Sequence, residues 1–560
     1  MESRILIVGA GPVGQLAALL LARQGIASLL IDRREAAASA PKAHAVNPRT
    51  LEICDSVGVS AEALRAQGAS ANDAGFVRFV GTLSGPEFGV LPYERQDDEA
   101  LAFTPFPLTN IPQPKFEAAL SAAIAVEPLI EFRRGVNCVG VTHAPSHVIA
   151  ELEHVASKER EHVTAAYVIA ADGANSRLRQ ALGIAMDGPE GLQHNVMIHF
   201  EADLSALTDH QPGVLYFLFE PTTKGVLIAY DRAKTWVLMH PFDPALEDAA
   251  SFDEPRCRQL ITDALGVAVP DLNVRNIGPW VMSAQVAQTY RGGRVFLAGD
   301  AAHRFPPTGG LGLNTGVVDA QNLCWKLAAV LKGEAGEALL ETYETERRPV
   351  ALVNTEQSLA NASKLFDLFA TLYGPDPLKT DEHYAAIAAN PKADAALALS
   401  VEMQRPHFDS FNLQLGYRYC SDAIDSAPAL LKASDVDISR YEPGFEPGAH
   451  LPHRWVTKDG RRTSLLSLIP VDRYALITGP QGEAWVKAAQ SLKLAGLRFN
   501  ADFQDQSTTW EALTGLTGTG ALLLRPDGHI AARLDTVGGD PLAHLRELMA
   551  RLNALQTVEA

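Results

Sequence analysis

Cysteine is scarce and scattered in this sequence. Its five cysteines, Cys54, Cys138, Cys257, Cys324 and Cys420, form no CxxC pair. That spacing excludes a disulfide framework and a zinc pattern, and it fits a reducing cytosol. Positive charge is also short: 48 Lys and Arg stand against 66 Asp and Glu, a net charge of -18. A general nucleic-acid binder needs Lys/Arg-rich faces to neutralise phosphates, so that class is set aside. The acidic balance reads as solubility. Long apolar runs are missing too. The richest, Leu16 to Ile31, is broken by Arg23, Gln24 and Gly25, well short of the roughly 18 residues a span needs, so no membrane segment is expected. Met1 leads into a strand pattern without a basic region or cleavage site, so a cytoplasmic chain without signal peptide is expected. The 16 histidines show no metal-ligand spacing, and no internal repeat is visible.

What is present is an ordinary 47% of apolar residues in a chain of 560, enough for several cores and more than one domain. Arg4 to Val8 reads as a buried parallel strand. Gly9-Ala10-Gly11-Pro12-Val13-Gly14 follows, and a helix from Gln15 to Arg23 closes at Gly25. A second strand, Ile26 to Ile31, ends in Asp32 and Arg33. This is GxGxxG between strand and helix. Gly9 permits the tight turn, Gly11 lets backbone approach a pyrophosphate, and Gly14 lets helix and strand pack closely. The helix N-terminus offers free N–H groups to phosphate. Asp32 stands where a carboxylate meets a ribose diol. The motif reads as dinucleotide binding and does not choose between FAD and NAD.

A second cluster spans Gly293 to Leu327, GRVFLAGDAAHRFPPTGGLGLNTGVVDAQNLCWKL. Arg294 to Ala298 is a strand with Gly299-Asp300 at its C-terminal end, where open α/β sheets bind ligands. A Pro- and Gly-rich turn leads to a helix from near Leu313 through Leu327. This segment resembles the GD motif of the class A flavoprotein aromatic hydroxylases, the para-hydroxybenzoate and phenol hydroxylase group. Asp172-Gly173-Ala174-Asn175-Ser176-Arg177-Leu178-Arg179, after a strand Tyr167 to Ala171, is similar to that family's DGxxSxxR motif. Pro41-Lys42-Ala43-His44, Arg49-Thr50-Leu51-Glu52 and Ile111-Pro112-Gln113 extend the likeness over roughly the first 400 residues.

The resemblance implies an α/β chain in three parts: a discontinuous Rossmann-like FAD-binding domain at 1–180 and 282–400, a substrate domain with a mainly antiparallel sheet at 181–281, and, after a linker at 401–440, a thioredoxin-like domain at 441–560. With no cysteine after Cys420, that tail cannot exchange dithiols; its role is structural or a dimer contact. Val214 to Phe219 and Gly225 to Tyr230 read as a hairpin. Glu337 to Ser363 reads as helix, with a break near Pro349.

By resemblance, Asp300 and Gln113 meet the ribityl–pyrophosphate region of FAD. Pro307, Gly310, Gly312, Leu313 and Asn314 surround the flavin ring, with Pro306 and Pro307 lining the reacting face. Asp172 and Arg179 serve both FAD and nicotinamide. Many relatives carry Arg at Lys42; Lys keeps the charge and loses the bidentate fork. His303 is a structural turn residue. Tyr216, Tyr230 and His240, with Trp236 and His44 beside them, are candidates to touch a phenol hydroxyl.

The implied activity is hydroxylation of a phenolic aromatic compound by FAD, with NADPH or NADH and O2, through a flavin hydroperoxide. Two readings stay open: Baeyer–Villiger oxygen insertion on the same scaffold, and a non-catalytic flavin-binding protein. A halogenase is disfavoured by the absence of Trp-x-Trp.

Overall fold

The computed structural model describes residues 4–37, 40–426, 437–535 and 539–554. The apolar runs flanking the glycine motifs become adjacent strands of one six-stranded sheet. Its order is Arg291–Gly292, Val295–Leu297, Tyr167–Ala170, Ile5–Val8, Ser28–Asp32, Ile130–Arg134, parallel except at the first pair. The four central strands, from Val295–Leu297 to Ser28–Asp32, are buried on both faces, which is why they read as continuous apolar runs rather than alternating ones. From Ile5–Val8 the chain goes first to one neighbour and later to the other. The resulting crevice opens at the carboxyl ends of the strands.

A seven-stranded sheet lies beside it. Its order is Asn273–Met282, Gln193–Glu201, Thr235–Phe242, Thr223–Asp231, Leu215–Glu220, Phe76–Val80, Glu87–Pro92. All its pairs are antiparallel except Leu215–Glu220 with Phe76–Val80. The hairpin is as expected. Two of the strands come from within 1–180, so the sheet is not confined to 181–281. Its two faces differ. One packs Tyr216, Trp236 and Leu238 with Cys257 and Ile261 of the helix Glu254–Leu265. The other carries Ile228, Tyr230 and Val237, with Met197 packed against them.

The helix Thr342–Tyr373 runs straight through Pro349. An interior proline costs about 3 kcal/mol, yet its neighbours Glu346, Arg347 and Asn354 are buried and hydrogen-bonded elsewhere in the fold. Those contacts outweigh the lost backbone bond, so the expected break does not occur.

In the tail the sheet order is Ala495–Arg498, Ala475–Thr478, Ala521–Leu524, Ile530–Leu534. The first pair is parallel and joined through the helix Glu483–Ser491; the other pairs are antiparallel, and the helix Pro541–Leu552 follows. This is the thioredoxin-like arrangement expected. Residues 427–436 of the expected linker lie outside the described residues. The rest of that linker is packed, with Phe408 and Phe411 buried. No described helix is long and apolar enough to cross a membrane.

Candidate functional site

At the first strand end, Gly9 N–H donates to Ile31 O at 2.8 Å and Ala171 N–H to Val8 O at 2.9 Å. Gly9 has φ +105°, and a Cβ there would lie 2.2 Å from Ala171 O. A Cβ on Gly14 would lie 1.9 Å from Gly9 O. Both positions therefore exclude any side chain. Gly11 is different: its Cβ would meet nothing within 4 Å. The helix Pro12–Arg23 has no side-chain cap, so its first N–H groups point into open space. Asp32 Oδ2 accepts from Ala10 N–H at 2.9 Å, and Arg34 binds the same carboxylate. Burial opposes its ionisation, but the hydrogen bonds from Arg34 and Ala10 prevail and hold it below the usual carboxylate range.

Across the crevice, Gly299–Ala301 forms a tight turn after the strand Val295–Leu297. Asp319, fully buried, pins that turn. Its Oδ2 accepts from Gly299 N–H at 3.1 Å and contacts His303 Nε2 at 2.7 Å. Asp300 is reachable from the crevice, and its carboxylate accepts no hydrogen bond among the described residues. Surrounding protein pushes its carboxyl up, against the pull of His303, Lys42 and Arg304. The helix Leu311–Leu331 starts at Gly310 without a side-chain cap, and a Cβ on Gly312 would also meet nothing within 4 Å.

The inner face of the seven-stranded sheet meets this helix start. Tyr93 Oη lies 3.7 Å from where a Cβ of Gly310 would be. The His44 ring is 5.9 Å from that of Tyr93 and packs edge-on to Tyr230 at 5.7 Å. Tyr230 is 5% exposed, and its hydroxyl has no partner among the described residues. Nearby bonds fix the His44 tautomer. Gln96 Nε2 donates to Ala74 O and Tyr93 O, so its Oε1 accepts from Asn110 Nδ2 at 3.2 Å. Asn110 Oδ1 then faces His44 Nδ1 at 2.8 Å. Nδ1 must carry the proton, and Nε2 keeps a free lone pair. Burial lowers the His44 pKa, so the ring stays neutral.

Two family models match: an FAD binding domain over residues 2–358, and an aromatic-ring hydroxylase C-terminal domain over 445–554. The chain belongs to the FAD-dependent aromatic-ring hydroxylases. It is 31% identical over 580 residues to 2,4-dichlorophenol 6-monooxygenase of Delftia acidovorans, covering 97% of each chain. It is 32% identical over 575 residues to aklavinone 12-hydroxylase RdmE of Streptomyces purpurascens, covering 98% of this chain and 99% of that one. Among solved structures, the flavin-dependent monooxygenase PieE in complex with FAD and substrate has a TM-score of 0.91 at 32% identity, covering 99% of both chains.

The crevice of this hydroxylase fits FAD on its own chemistry. Uncapped helix starts beside Gly11 and Gly312 present N–H donors to anionic groups. The unpartnered Asp300 carboxylate suits hydroxyls of a polyol chain. Asp172 Oδ1 is likewise buried without a partner, while its Oδ2 accepts from Arg177 N–H at 2.9 Å.

Other expected residues play different parts. Arg179 donates to Ala174 O and Ala301 O, clamping the two motif turns together. Gln113 donates from its side chain to Glu117 and from its backbone to Ala43 O. Arg33, Lys42 and Pro307 are exposed. The Asn314 amide is consumed by the protein: Oδ1 accepts from Asn47 N–H and Thr50 Oγ1, and Nδ2 donates to Ala45 O and Gly310 O. Its side chain therefore braces the helix start instead of reaching the flavin ring. His303 is buried against Asp319, with its ring stacked on Phe305.

Tyr216 and His240 are turned away from the pocket. Tyr216 Oη donates to Gln211 O at 2.9 Å in the outer core. His240 sits beside Phe252 on that same face, its Nδ1 3.1 Å from Lys224 O. Strand alternation puts Tyr230 on the face opposite Tyr216. Tyr93 and Asn110 escaped the sequence reading. No motif marks them, since the contacts that give them meaning join strands far apart in the chain.

Proposed function

We propose that this enzyme hydroxylates a phenolic ring, converting phenol, O2, NAD(P)H and a proton to diphenol, water and NAD(P)+. FAD bound in the crevice would take electrons from the nicotinamide and activate O2. The chain's own part is to bind the phenol, withdraw its proton and exclude water. His44 carries the reading: its Nε2 is a neutral, fixed acceptor on a ring 5.7 Å from that of Tyr230, whose hydroxyl has no partner among the described residues. A phenol hydroxyl placed there donates to Nε2 and accepts from Tyr230. Proton transfer to His44 raises the nucleophilicity of the ring, and Asn110 stabilises the resulting imidazolium through Nδ1. The aromatic wall of Phe79, Phe217 and Phe408 keeps water from the reacting carbon.

Between Gly14 and the second cluster there is no further complete GxGxxG after a strand. The nicotinamide therefore binds transiently near Asp172 and Arg179, and phenol binding biases the flavin toward a reducible arrangement. The test is anaerobic stopped-flow reduction of the holoenzyme by NADPH and NADH, with and without 2,4-dichlorophenol and larger phenols. Faster reduction and a product 16 mass units heavier (one oxygen atom) are expected. Equal reduction rates and no oxygenated product from any phenol overturn the proposal.

A further inference from the structure

Two polar atoms on the helix Thr342–Tyr373 have no role in that chemistry. Asn361 is 1% exposed, and its Oδ1 accepts from Gln357 Nε2 at 2.8 Å. With that bond made, Nδ2 is a buried donor with no partner among the described residues. A Cβ on Gly309 would lie 3.6 Å from this Nδ2, so the donor is directed at the Pro307–Gly310 loop. Gly309 has φ +104°, a conformation that side-chain-bearing residues rarely adopt. One helical turn earlier, Ser358 Oγ is also buried and unpartnered. The Ser358 carbonyl accepts from Thr308 Oγ1 at 2.7 Å, which ties the loop to this helix face. Two turns further on from Asn361, Leu368 and Phe369 join the aromatic wall, with the Phe369 ring 4.8 Å from Phe219.

Buried polar groups in native proteins nearly always find a partner. Here two unpartnered groups stand on one helix face, between the loop beside the flavin site and an apolar wall. Nδ2 is a donor only, and the hydroxyl can donate as well. Both are neutral, which suits a carbonyl oxygen with its two lone pairs better than a carboxylate. We infer that Asn361 and Ser358 form an oxygen subsite that receives a ring carbonyl of an aromatic ketone, apart from the hydroxyl held at His44 and Tyr230. The inference rests on the proposed phenol site and extends it. The preferred substrate is then a hydroxyaryl ketone rather than a simple phenol.

The probes are two matched pairs differing only in the carbonyl: 4-hydroxybenzophenone with 4-benzylphenol, and 1-hydroxyfluorenone with 1-hydroxyfluorene. Binding to oxidised holoenzyme is read from the flavin absorbance change, so no turnover is needed. In at least one pair the ketone should bind tenfold or more tightly than its partner. Asn361→Leu should erase that preference and leave the carbonyl-free phenol within twofold. Asn361→Asp, which presents an acceptor, should weaken the ketone at least as far, and it serves if the leucine variant fails to hold FAD. No ketone preference in either pair, no binding by any of the four, or a preference that survives both substitutions overturns the subsite. The phenol-stimulated reduction assay judges the hydroxylase reading separately.

Discussion

Two buried polar regions of this molecule follow opposite rules. Where the tail meets the FAD-binding half, the buried charges of Lys326, Glu346, Arg525 and Asp527 are paired with one another. Glu346 accepts from Lys326 at 2.7 Å and from both Arg525 nitrogens at 2.6 and 2.8 Å, and Arg525 also pairs with Asp527. Burial alone would raise the Glu346 carboxyl, but Arg525 and Lys326 hold it well below the usual range. On the other side of the molecule, by contrast, the buried Tyr230 hydroxyl and the buried Asn361 Nδ2 have no partner among the described residues. Leaving such groups unmade costs about 1–3 kcal/mol each. A fold tolerates that where a ligand completes the bonds. Paired buried charge therefore holds the junction together, while the open hydroxyl of Tyr230 and the open Nδ2 of Asn361 are left for a ligand to complete.

The largest effect expected is on the paired side. Arg525→Met leaves Glu346 and Asp527 short of their cation, and breaking a buried pair costs about 3–5 kcal/mol. Calorimetry should show a clearly lower unfolding temperature. Phenol-stimulated turnover at saturating FAD should stay within about twofold below that temperature. If turnover collapses while the melting temperature holds, the junction belongs to the site and the contrast fails.

On the open side, His44→Ala should lower kcat/KM for a phenol roughly 100-fold, the scale of a general base, with FAD content unchanged. The pH profile carries the sign. Burial lowers the His44 pKa, so Nε2 remains an acceptor at neutral pH, and activity is lost only as pH falls through that lowered value. The acidic limb should lie below the ordinary histidine range in wild type and vanish in the variant. A variant within threefold of wild type at neutral pH rules His44 out as the base.

Next comes the comparison of Asp300 with Asp32. Asp32 already serves Ala10 and Arg34, while Asp300 has no protein partner, so Asp300→Ala should weaken FAD binding more. A charge-assisted hydrogen bond is worth about 1.5–3 kcal/mol, or roughly 10- to 150-fold in affinity. Reconstitution of apoprotein with FAD measures both dissociation constants. Equal or reversed losses break the ranking.

The sequence reveals the open side unevenly. Gly9 and Gly14 are legible because the tight turn and the close helix–strand approach there demand glycine at fixed spacing, which is a local property. Which face of a strand looks inward is not local. Alternation separates Tyr216 from Tyr230, but the inner face is chosen by where the helix Glu254–Leu265 returns to cover the other one. The strands Phe76–Val80 and Glu87–Pro92 join the sheet from far upstream, bringing in Tyr93, for the same nonlocal reason. Pro349 misleads because the cost of a proline is local, while the contacts of Glu346 and Arg347 that offset it are tertiary.

The smallest expected effect tests the contrast most directly, because it removes the same atom twice within one sheet. Tyr216→Phe deletes a hydroxyl that donates to Gln211 O. It should cost about 1 kcal/mol of stability and leave phenol binding as it was. Tyr230→Phe deletes a hydroxyl that bonds to nothing among the described residues. Removing an unsatisfied buried group is close to neutral or stabilising for the free fold, so the melting temperature should hold or rise slightly. Its partner is the substrate, so the phenol dissociation constant should rise about fivefold to tenfold, the value of one neutral hydrogen bond of about 1 kcal/mol or slightly more. Thermal unfolding and flavin-monitored titration on the two variants give four numbers. The pattern is stability lost without affinity at Tyr216, and affinity lost without stability at Tyr230. If both variants lose stability alike and bind phenol alike, the open hydroxyl is a packing accident, and the assignment of the inner face as the substrate site loses its main support.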